Sequence, residues 1–440
     1  MGKSIEKTKD RGDNACFYNI GDLRGKDTVG LYYIKRYQES KYTCTKVFEE
    51  LGYGKNVKFG VKLLCNMVYF YHCYLHLRSI SYRTTSYSTL TAQVNYMKGP
   101  VFLRRYQQVE KNELPPRYNI CRLVPVSFEK TASLEELWAI HQVKMQDYRK
   151  LLASIDANGY DPYLSMPRSS LLDLKVAIVK KMLEDCHFCE RRCGVNRKEN
   201  QKGHCRVGAV SGYASEFLHT GEEPELVPSH TIFFTGCVFS CIYCQNWDIA
   251  THPETGKIAD PIELAKLIEK RRMQGSRNIN FVTPTPHPHV ILRTISNLSV
   301  NVPVIWNSNM YHSKEMGELL EGVVDVYLAD LRYGNDECAE KYSKVNNYSK
   351  IVTENLARAY VDAEILLRHL VLPGHVDCCT QPVVKWIEEH IPHVRFNPMF
   401  QYTPHYIAYK YPEMNRRLTV QEIEKTIEIV LSSGLEDVLL

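Results

Sequence analysis

The chain is constrained most by a repeated alternation of short apolar runs and helix-like segments, which begins near residue 231 and continues almost to the carboxyl terminus. Repeated strand–helix units form a parallel sheet whose functional side chains lie at the carboxyl ends of the strands. The predicted strands are residues 231–234, 279–282, 303–306, 324–328, 364–372 and 394–399. The predicted helices are residues 261–273, 289–298, 314–320, 348–360, 383–390 and 420–431. Six strands predict an α/β fold, a partial (β/α)6 barrel of the TIM-like type.

The loop after the first predicted strand carries three closely spaced thiols, Cys237, Cys241 and Cys244. Gly236 allows the backbone to wrap closely around an inorganic core. Such a loop can hold three irons of a four-iron cluster and leave the fourth iron open, whereas a structural zinc site normally closes with four ligands. Tyr243 adds an aromatic face that we expect to lie against a nucleoside. The alternative interpretation is three buried or zinc-bound cysteines without catalytic meaning.

A second group of thiols precedes the first predicted strand: Cys186, Cys189, Cys193 and Cys205. Four thiolates are enough to close a tetrahedral zinc site or to enclose a second iron–sulfur cluster. The sequence leaves both choices open, together with the absence of any metal. Nearby cations would favour the deprotonated sulfurs, and they are Arg191, Arg192 and Arg197.

The cysteine count argues for a reducing compartment. The chain has 15 cysteines in 440 residues, an odd number, and seven of them fall between residues 186 and 244 in metal-like spacings. Cys338 and the adjacent pair Cys378–Cys379 are expected to be free thiols. The most apolar stretch, residues 63–77, is too short and too polar to span a membrane. We therefore expect a cytoplasmic protein without a membrane partner.

The charge distribution argues against nucleic-acid binding. Residues 1–100 contain 16 lysines and arginines against 8 acidic residues, so the overall charge of +5 arises there and the remainder is slightly acidic. A nucleic-acid site would concentrate basic residues around the chemistry. The composition and these patterns predict four parts: an accessory or poorly ordered extension (1–114), a helical region (115–185), a four-cysteine metal module (186–227) and the barrel (228–440).

Residues from about 184 to 434 resemble the radical S-adenosylmethionine (SAM) proteins related to pyruvate formate-lyase activating enzyme, in an uncharacterised branch with a four-cysteine module upstream. The resemblance rests on the Cys-x-x-x-Cys-x-aromatic-Cys signature at 237–244 and on the four-cysteine module. It also rests on His219-Thr220-Gly221-Glu222-Glu223-Pro224, on Val282-Thr283-Pro284-Thr285 and on Leu370-Val371-Leu372-Pro373-Gly374.

The resemblance implies an oxidoreductase with a [4Fe–4S] cluster that reductively cleaves SAM to a 5′-deoxyadenosyl radical for hydrogen abstraction. It also implies an electron donor such as flavodoxin or ferredoxin, and leaves open whether the substrate is a small molecule or a protein. The residues it places at the SAM pocket are Asn307, Asn309, Asp330 and Arg368. Among them, Arg368 is expected to pair with the methionine carboxylate.

One departure concerns the substrate. Activating enzymes carry Gly-Gly-Glu after the second strand to hold the SAM amine, and this chain has Thr283-Pro284-Thr285 there. The threonine hydroxyls or backbone carbonyls are expected to substitute, and the change weakens a claim for a glycyl-radical enzyme as substrate. The alternative function is a non-catalytic zinc or iron–sulfur scaffold protein, and a zinc-stabilised nucleic-acid binder is a third class.

Overall fold

The computed structural model describes residues 102–161 and 164–440. The predictions made for residues 1–101, including the stretch 63–77, lie outside that part of the chain. Helix α1 (Arg104–Glu110) lies within residues 1–114, the region for which an accessory or poorly ordered extension is expected. Within the described residues, no helix has the length and apolar character needed to cross a bilayer.

An eight-stranded open sheet forms the centre of the structure, in the order β3-β1-β2-β4-β5-β6-β7-β8. The strands are β1 (Gly212–His219), β2 (Ser229–Phe234), β3 (Lys257–Ile258), β4 (Asn278–Val282), β5 (Val304–Ser308), β6 (Val326–Asp330), β7 (Glu364–Leu370) and β8 (Arg395–Met399). Strands β2 and β4 to β8 are all parallel, whereas β1 pairs antiparallel with both β2 and β3. The six predicted strands are confirmed, and they form the parallel part of a sheet that does not close into a full barrel.

Helices cover the sheet and precede it. They are α1 (Arg104–Glu110), α2 (Arg117–Leu123), α3 (Leu134–Asn158), α4 (Leu171–Lys181), α5 (Trp247–Thr251), α6 (Pro261–Met273), α7 (Pro288–Ser296), α8 (Lys314–Leu320), α9 (Asp336–Ser343), α10 (Tyr348–Asp362), α11 (Gln381–His390) and α12 (Val420–Ser432). Side-chain caps set several of the starts. Ser133 and Glu136 form a reciprocal capping box at α3, and Asp260 accepts from two backbone N–H groups of α6.

The amino-terminal helices are anchored at the edge of the sheet where the parallel strands begin. Glu364, the first residue of β7, accepts hydrogen bonds from the backbone N–H groups of Arg105 and Tyr106 in α1. Asp325, just before β6, accepts from the backbone N–H groups of Arg117 at 3.0 Å and Val304 at 2.8 Å. Asp325 is buried and Glu364 is half-buried, and both carboxylates lie at the amino ends of strands. These helices therefore leave the opposite edge free for a functional site.

Candidate active site

A cavity of 520 Å³ opens at the carboxyl edge of the parallel sheet. Its lining joins the ends of several parallel strands, as the strand–helix pattern predicts. The three thiols Cys237, Cys241 and Cys244 line it. So do four residues predicted for the SAM pocket, namely Asn307, Asn309, Asp330 and Arg368. Side chains that are far apart in the sequence therefore meet around one space.

The cysteine loop turns at Gly236, immediately after β2. Gly236 has φ +78°, and a Cβ there would lie 2.5 Å from Val207 Cγ2 and 2.6 Å from Cys205 O. Both the backbone conformation and the close approach therefore favour glycine. The same contact places the last cysteine of the upstream module beside the first turn of the loop.

Burial has the largest effect on the pKa values of Cys237 and Cys244 in this loop. Together with the neighbouring thiols, it raises the pKa of Cys237 to about 11 and that of Cys244 to about 12. Cys241 Sγ lies 2.9 Å from Ser343 Oγ and accepts a hydrogen bond from Arg332 Nη1 at 3.2 Å. Without a metal, Cys237 and Cys244 are therefore protonated at neutral pH, and ligation would have to release those protons.

Arg332 joins the cysteine loop to the strand end that carries Asp330. Besides Cys241, it donates to Asp330 Oδ2 at 2.7 Å. Burial disfavours its charge, but Asp330 and Cys241 outweigh this effect and raise its pKa. Arg332 lines the cavity as a fixed cation beside a cluster thiol. The residue roles carried over from the resemblance omit it, although its place two residues after Asp330 at a strand end was a usable signal.

Arg368 lies at the cavity, and its Nε and Nη2 groups are already hydrogen-bonded to carboxylates. It donates to Glu223 Oε1 at 2.8 Å and Oε2 at 2.6 Å, and a further short contact joins it to Glu222. Asn397 donates to Glu223 at 2.7 Å. Burial lowers the pKa of Arg368, but the two glutamates overcome this and raise it overall. Glu222 itself lines the cavity, so the segment of residues 219–224 is part of the site wall.

The segment after β4 is strained and holds an unpaired hydroxyl. Thr283 has φ +58°, which is a left-handed conformation that β-branched residues rarely adopt. Its backbone N–H donates to Asn307 O at 3.1 Å. Thr285 is buried and lines the cavity, and its Oγ1 has no hydrogen-bond partner among the described residues. A buried polar atom without a partner costs roughly 1–3 kcal/mol, so a ligand that satisfies it would gain affinity.

Tyr243 does not line the cavity. Its ring is buried behind the cysteine loop, in edge-to-face contact with Tyr402, and its hydroxyl lies 2.7 Å from the hydroxyl of Tyr333. Tyr333 continues this chain to Ser343 Oγ at 2.6 Å. The geometry thus departs from the expectation that this ring faces a nucleoside, because Tyr243 packs against the protein core and supports the loop from behind.

The four-cysteine module lies against the same loop. The thiols of Cys186 and Cys193 share a hydrogen bond that raises the pKa of Cys186 and lowers that of Cys193 to about 6. Arg197 is buried and contacts Cys186 Sγ at 3.9 Å, as the predicted cation should. Arg191 instead donates to Val238 O at 3.1 Å, and Arg192 pairs with Glu190 and Glu315. Within the part of the chain that the structure describes, Arg197 is the one of these three arginines that hydrogen-bonds to a module thiol.

Comparison with known proteins agrees with this geometry. The radical SAM superfamily model matches residues 231–387, which include the cysteine loop and strands β4 to β7. A protein of Methanocaldococcus jannaschii, "Uncharacterized protein MJ0674", is 46% identical over 343 residues, covering 76% of this chain and 98% of its own. The chain belongs to the radical SAM superfamily. Membership implies a [4Fe–4S] cluster and SAM.

Two solved structures are also similar to this chain. One is a domain of pyruvate-formate lyase-activating enzyme from Bacteroides vulgatus, with 14% identity, a TM-score of 0.27, and coverage of 41% of this chain and 89% of that one. The other is HydG, a maturase of the [FeFe]-hydrogenase, with 12% identity, a TM-score of 0.35, and coverage of 76% and 66%.

Proposed function

We propose that this protein is a radical SAM enzyme that reductively cleaves SAM and uses the fragment to abstract hydrogen from a substrate. The observation that carries the proposal is the meeting of three thiols, the Arg332–Asp330 pair and the unpaired Thr285 hydroxyl around one cavity. When bound, the cluster supplies the electron that splits SAM into methionine and a 5′-deoxyadenosyl radical. The protein's own groups position SAM and shield the reaction from solvent.

Cys237, Cys241 and Cys244 are the proposed cluster ligands, and their setting fits that group. Soft thiolates select iron–sulfur chemistry over hard cations. Arg332 and Ser343 both contact Cys241, so its sulfur has polar partners of the kind that tune a cluster. The backbone N–H of Phe239 donates to Cys237 Sγ at 3.4 Å. Protonated, buried thiols would be deprotonated by ligation, with release of protons.

Arg332 is the proposed partner of the methionine carboxylate. It lines the cavity beside Cys241, and Asp330 is the single carboxylate of the described residues that pairs with it. Arg368, the residue predicted for this role, is already bound by Glu222 and Glu223. We therefore assign Arg368 to fixing the segment of residues 219–224 at the cavity wall, where Glu222 faces the ligand.

The amine and the nucleoside of SAM are assigned to the remaining polar groups. Thr285 Oγ1 is the proposed acceptor for the amine, which replaces the Gly-Gly-Glu of activating enzymes. Asn307, Asn309 and Asp330 line the same cavity and supply further hydrogen-bonding groups. The Asn309 side chain already accepts from the backbone N–H of Tyr311 at 3.2 Å, which fixes its orientation.

The upstream module is proposed to hold a second metal centre, whether zinc or an iron–sulfur cluster, through Cys186, Cys189, Cys193 and Cys205. Support comes from the buried Arg197 beside Cys186 and from the contact of Gly236 with Cys205 O, which brings the module next to the radical site. Elemental analysis of a Cys189→Ser variant tests this, because loss of one centre would lower either zinc or iron without removing the EPR signal of the radical cluster.

The substrate class, the electron donor and the cellular location are proposed from the resemblance and from the residues. A protein glycine is the substrate class that activating enzymes suggest, and a flavodoxin or ferredoxin would supply electrons. The oxidation-sensitive cysteines support a cytoplasmic location. At the cavity, Trp247 and Tyr406 stack with their ring centroids 5.3 Å apart and offer an apolar surface for the substrate.

The proposal is tested by replacing Cys241 with alanine. We expect anaerobically reconstituted Cys241→Ala protein to release no 5′-deoxyadenosine from SAM under dithionite, while the wild type releases it. Cys121→Ala is the matched control, because Cys121 is equally buried but hydrogen-bonds to Gly322 O, away from the cavity. SAM cleavage that survives in Cys241→Ala would refute the proposal and favour the non-catalytic scaffold.

A further inference from the structure

A second group of metal-ligating side chains lies outside the cavity. Cys338 is on α9, while His375, Cys378 and Cys379 follow β7. Their three sulfur atoms and one imidazole nitrogen all lie within 4.8 Å of one another. Cys338 and Cys379 are buried, and no disulfide joins any of the three cysteines to another described residue. The sequence suggests three unrelated free thiols, because about 40 residues separate Cys338 from the pair and only the fold joins them.

The imidazole of His375 is oriented toward the thiols. Its Nε2 lies 2.9 Å from the hydroxyl of Tyr342, which in turn donates to Glu413 Oε1 at 2.8 Å. With the Nε2 proton donated to Tyr342, Nδ1 presents its lone pair to Cys378 Sγ at 3.1 Å and Cys338 Sγ at 3.7 Å. A ring nitrogen fixed by a hydrogen bond on its opposite side is the usual arrangement of a metal-binding histidine.

The backbone holds the two cysteine-bearing segments together. Val376–Thr380 forms a π-helical turn, a rare element that is frequent at functional sites. Asn335 donates to Cys378 O at 2.7 Å, and its side-chain oxygen caps α9 by accepting from the N–H of Cys338 at 2.8 Å. A Cβ at Gly334 would lie 2.8 Å from the carbonyl oxygens of both Cys378 and Cys379. The loop before α9 is therefore in direct contact with the turn that carries the pair.

We propose that Cys338, His375, Cys378 and Cys379 form a tetrahedral site for a zinc-class divalent cation. Three sulfurs and one nitrogen are a common closed ligand set for structural zinc. At Zn–S distances of about 2.3 Å, tetrahedral sulfurs lie somewhat under 4 Å apart. The observed spacing needs only a small contraction to reach this, whereas a four-iron cluster places iron between the thiolates and needs them further apart. Binding converts the thiols to thiolates and releases their protons to solvent.

Helix α9 connects this site to the cysteine loop. It carries Cys338 near its start and Ser343 at its end, about 7.5 Å further along the axis. The carbonyl oxygens of Tyr342 and Ser343 accept hydrogen bonds from the backbone N–H groups of Ile242 and Ser240, at 2.9 and 3.0 Å. A metal at the start of α9 would thus hold the helix on which the loop is supported.

Elemental analysis tests the site without any activity assay. Protein is purified anaerobically with zinc supplied, and we expect Cys338→Ser and the double variant Cys378→Ser/Cys379→Ser each to lose about one equivalent of zinc per chain with iron unchanged. Cys121→Ser is the control and should keep the wild-type content. Tyr342→Phe retains every ligand but removes the partner of Nε2, and we expect a roughly 10- to 100-fold weaker zinc affinity.

The wild type provides a test that does not depend on the folding of a variant. Cys378 is exposed, so a free thiol there would react quickly with iodoacetamide. We expect peptide mapping to show it protected in zinc-loaded protein and modified after chelation. Cobalt substitution should add thiolate-to-metal charge-transfer absorption that the double variant lacks. Rapid alkylation of Cys378 in zinc-loaded protein, or a disulfide among these cysteines in the anaerobic protein, would overturn the proposal. SAM cleavage enters neither test, so failure here is separate from failure of the radical function.

Discussion

At the scale of single residues, Arg332 brings a cation, a carboxylate and a cluster thiol together. It contacts Cys241 Sγ at 3.2 Å and Asp330 at 2.7 Å, and both contacts favour its charged form. Asp330 also lies at the cavity, so the pair presents both charges to a ligand. An amino acid head group such as that of methionine carries the complementary pair of charges.

Replacing Arg332 with methionine should weaken SAM binding roughly 10- to 100-fold, because a hydrogen bond to a charged group contributes about 1.5–3 kcal/mol. SAM titration of the reconstituted protein, followed by EPR, measures the effect. Arg416→Met is the matched control, since Arg416 also pairs with a carboxylate, Glu422, but does not line the cavity. Equal SAM affinity in the two variants would contradict the assignment of Arg332.

The unpaired hydroxyl of Thr285 is predicted to affect protein stability and SAM binding in opposite directions. Thr285→Val removes a buried polar atom that has no partner, so the free protein should be more stable by about 1 kcal/mol, while SAM binding weakens. Thr294→Val is the control: Thr294 Oγ1 is also buried without a partner, but it lies on α7 and does not line the cavity. Chemical denaturation and SAM titration separate the effects.

We expect Thr294→Val to gain similar stability and to keep the wild-type affinity for SAM. If Thr285→Val also bound SAM normally, the hydroxyl would have no role in holding the amine.

At the scale of secondary structure, α9 is the support of the cysteine loop, and its cap is Asn335. Asn335→Ala removes the cap and the contact to Cys378 O, and should cost about 1 kcal/mol of unfolding free energy. Because α9 carries the acceptors for Ser240 and Ile242, iron should also leave the variant faster in the presence of a chelator. Hydrogen exchange of α9 and the rate of iron loss are the measurements.

The matched control for Asn335→Ala is Asp260→Ala. Asp260 caps α6 by accepting from the backbone N–H groups of Ile262 and Glu263, and neither of these bonds involves the cysteine loop. It should lower the free energy of unfolding by a similar amount while leaving the rate of iron loss unchanged. Equal rates of iron loss in both variants would show that α9 has no special part in retaining the cluster.

The sequence predicted the elements whose signal is local. The parallel strands are continuous apolar runs, so residues 279–282 became β4 (Asn278–Val282), and helices 261–273 and 314–320 were predicted to the residue. Strand β1 was missed, because it is a half-exposed antiparallel strand with mixed polar and apolar residues. Helix α9 was missed because it is short and charged. Its role depends on contacts with a loop about 100 residues earlier.

The sequence was enough to predict which residues meet at the site, but not which side chains contact one another there. The three cysteines and the four pocket residues do meet at one cavity, because the carboxyl ends of parallel strands share an edge. The binding of Arg368 by Glu222 and Glu223 could not be anticipated, since nearly 150 residues separate them. The direction of Tyr243 was equally inaccessible, because it depends on which neighbouring side chains fill the space behind the loop.

At the scale of the whole molecule, buried histidines predict how stability depends on pH. Burial is the largest cause of a lowered pKa in five of them. It lowers the pKa of His141 to about 2, that of His312 to about 3, and those of His230 and His369 to about 4. The pKa of His287 is lowered well below the ordinary range. They stay neutral in the folded protein, whereas in the unfolded chain they bind protons below about pH 6.5. Stability is therefore present above that pH and is lost as the pH falls toward these lowered values.

We expect the free energy of unfolding to fall between pH 6.5 and 5, by up to about 1.4 kcal/mol per pH unit for each such histidine. Calorimetry in buffers of different ionisation enthalpy measures the accompanying uptake of protons on unfolding. Unfolding that takes up no protons at pH 5.5 would contradict the neutral state of these side chains.

A SAM-cleaving cluster in the cavity would have two signatures in the wild-type protein, a spectroscopic response to SAM and the release of 5′-deoxyadenosine. The wild-type protein is reconstituted anaerobically with iron and sulfide and reduced, and its EPR spectrum is recorded with and without SAM while 5′-deoxyadenosine is followed by chromatography. We predict a four-iron signal that shifts when SAM is added, together with release of 5′-deoxyadenosine. A cluster whose signal does not respond to SAM, or zinc alone at Cys237, Cys241 and Cys244, would contradict the assignment of a SAM-cleaving cluster to this cavity.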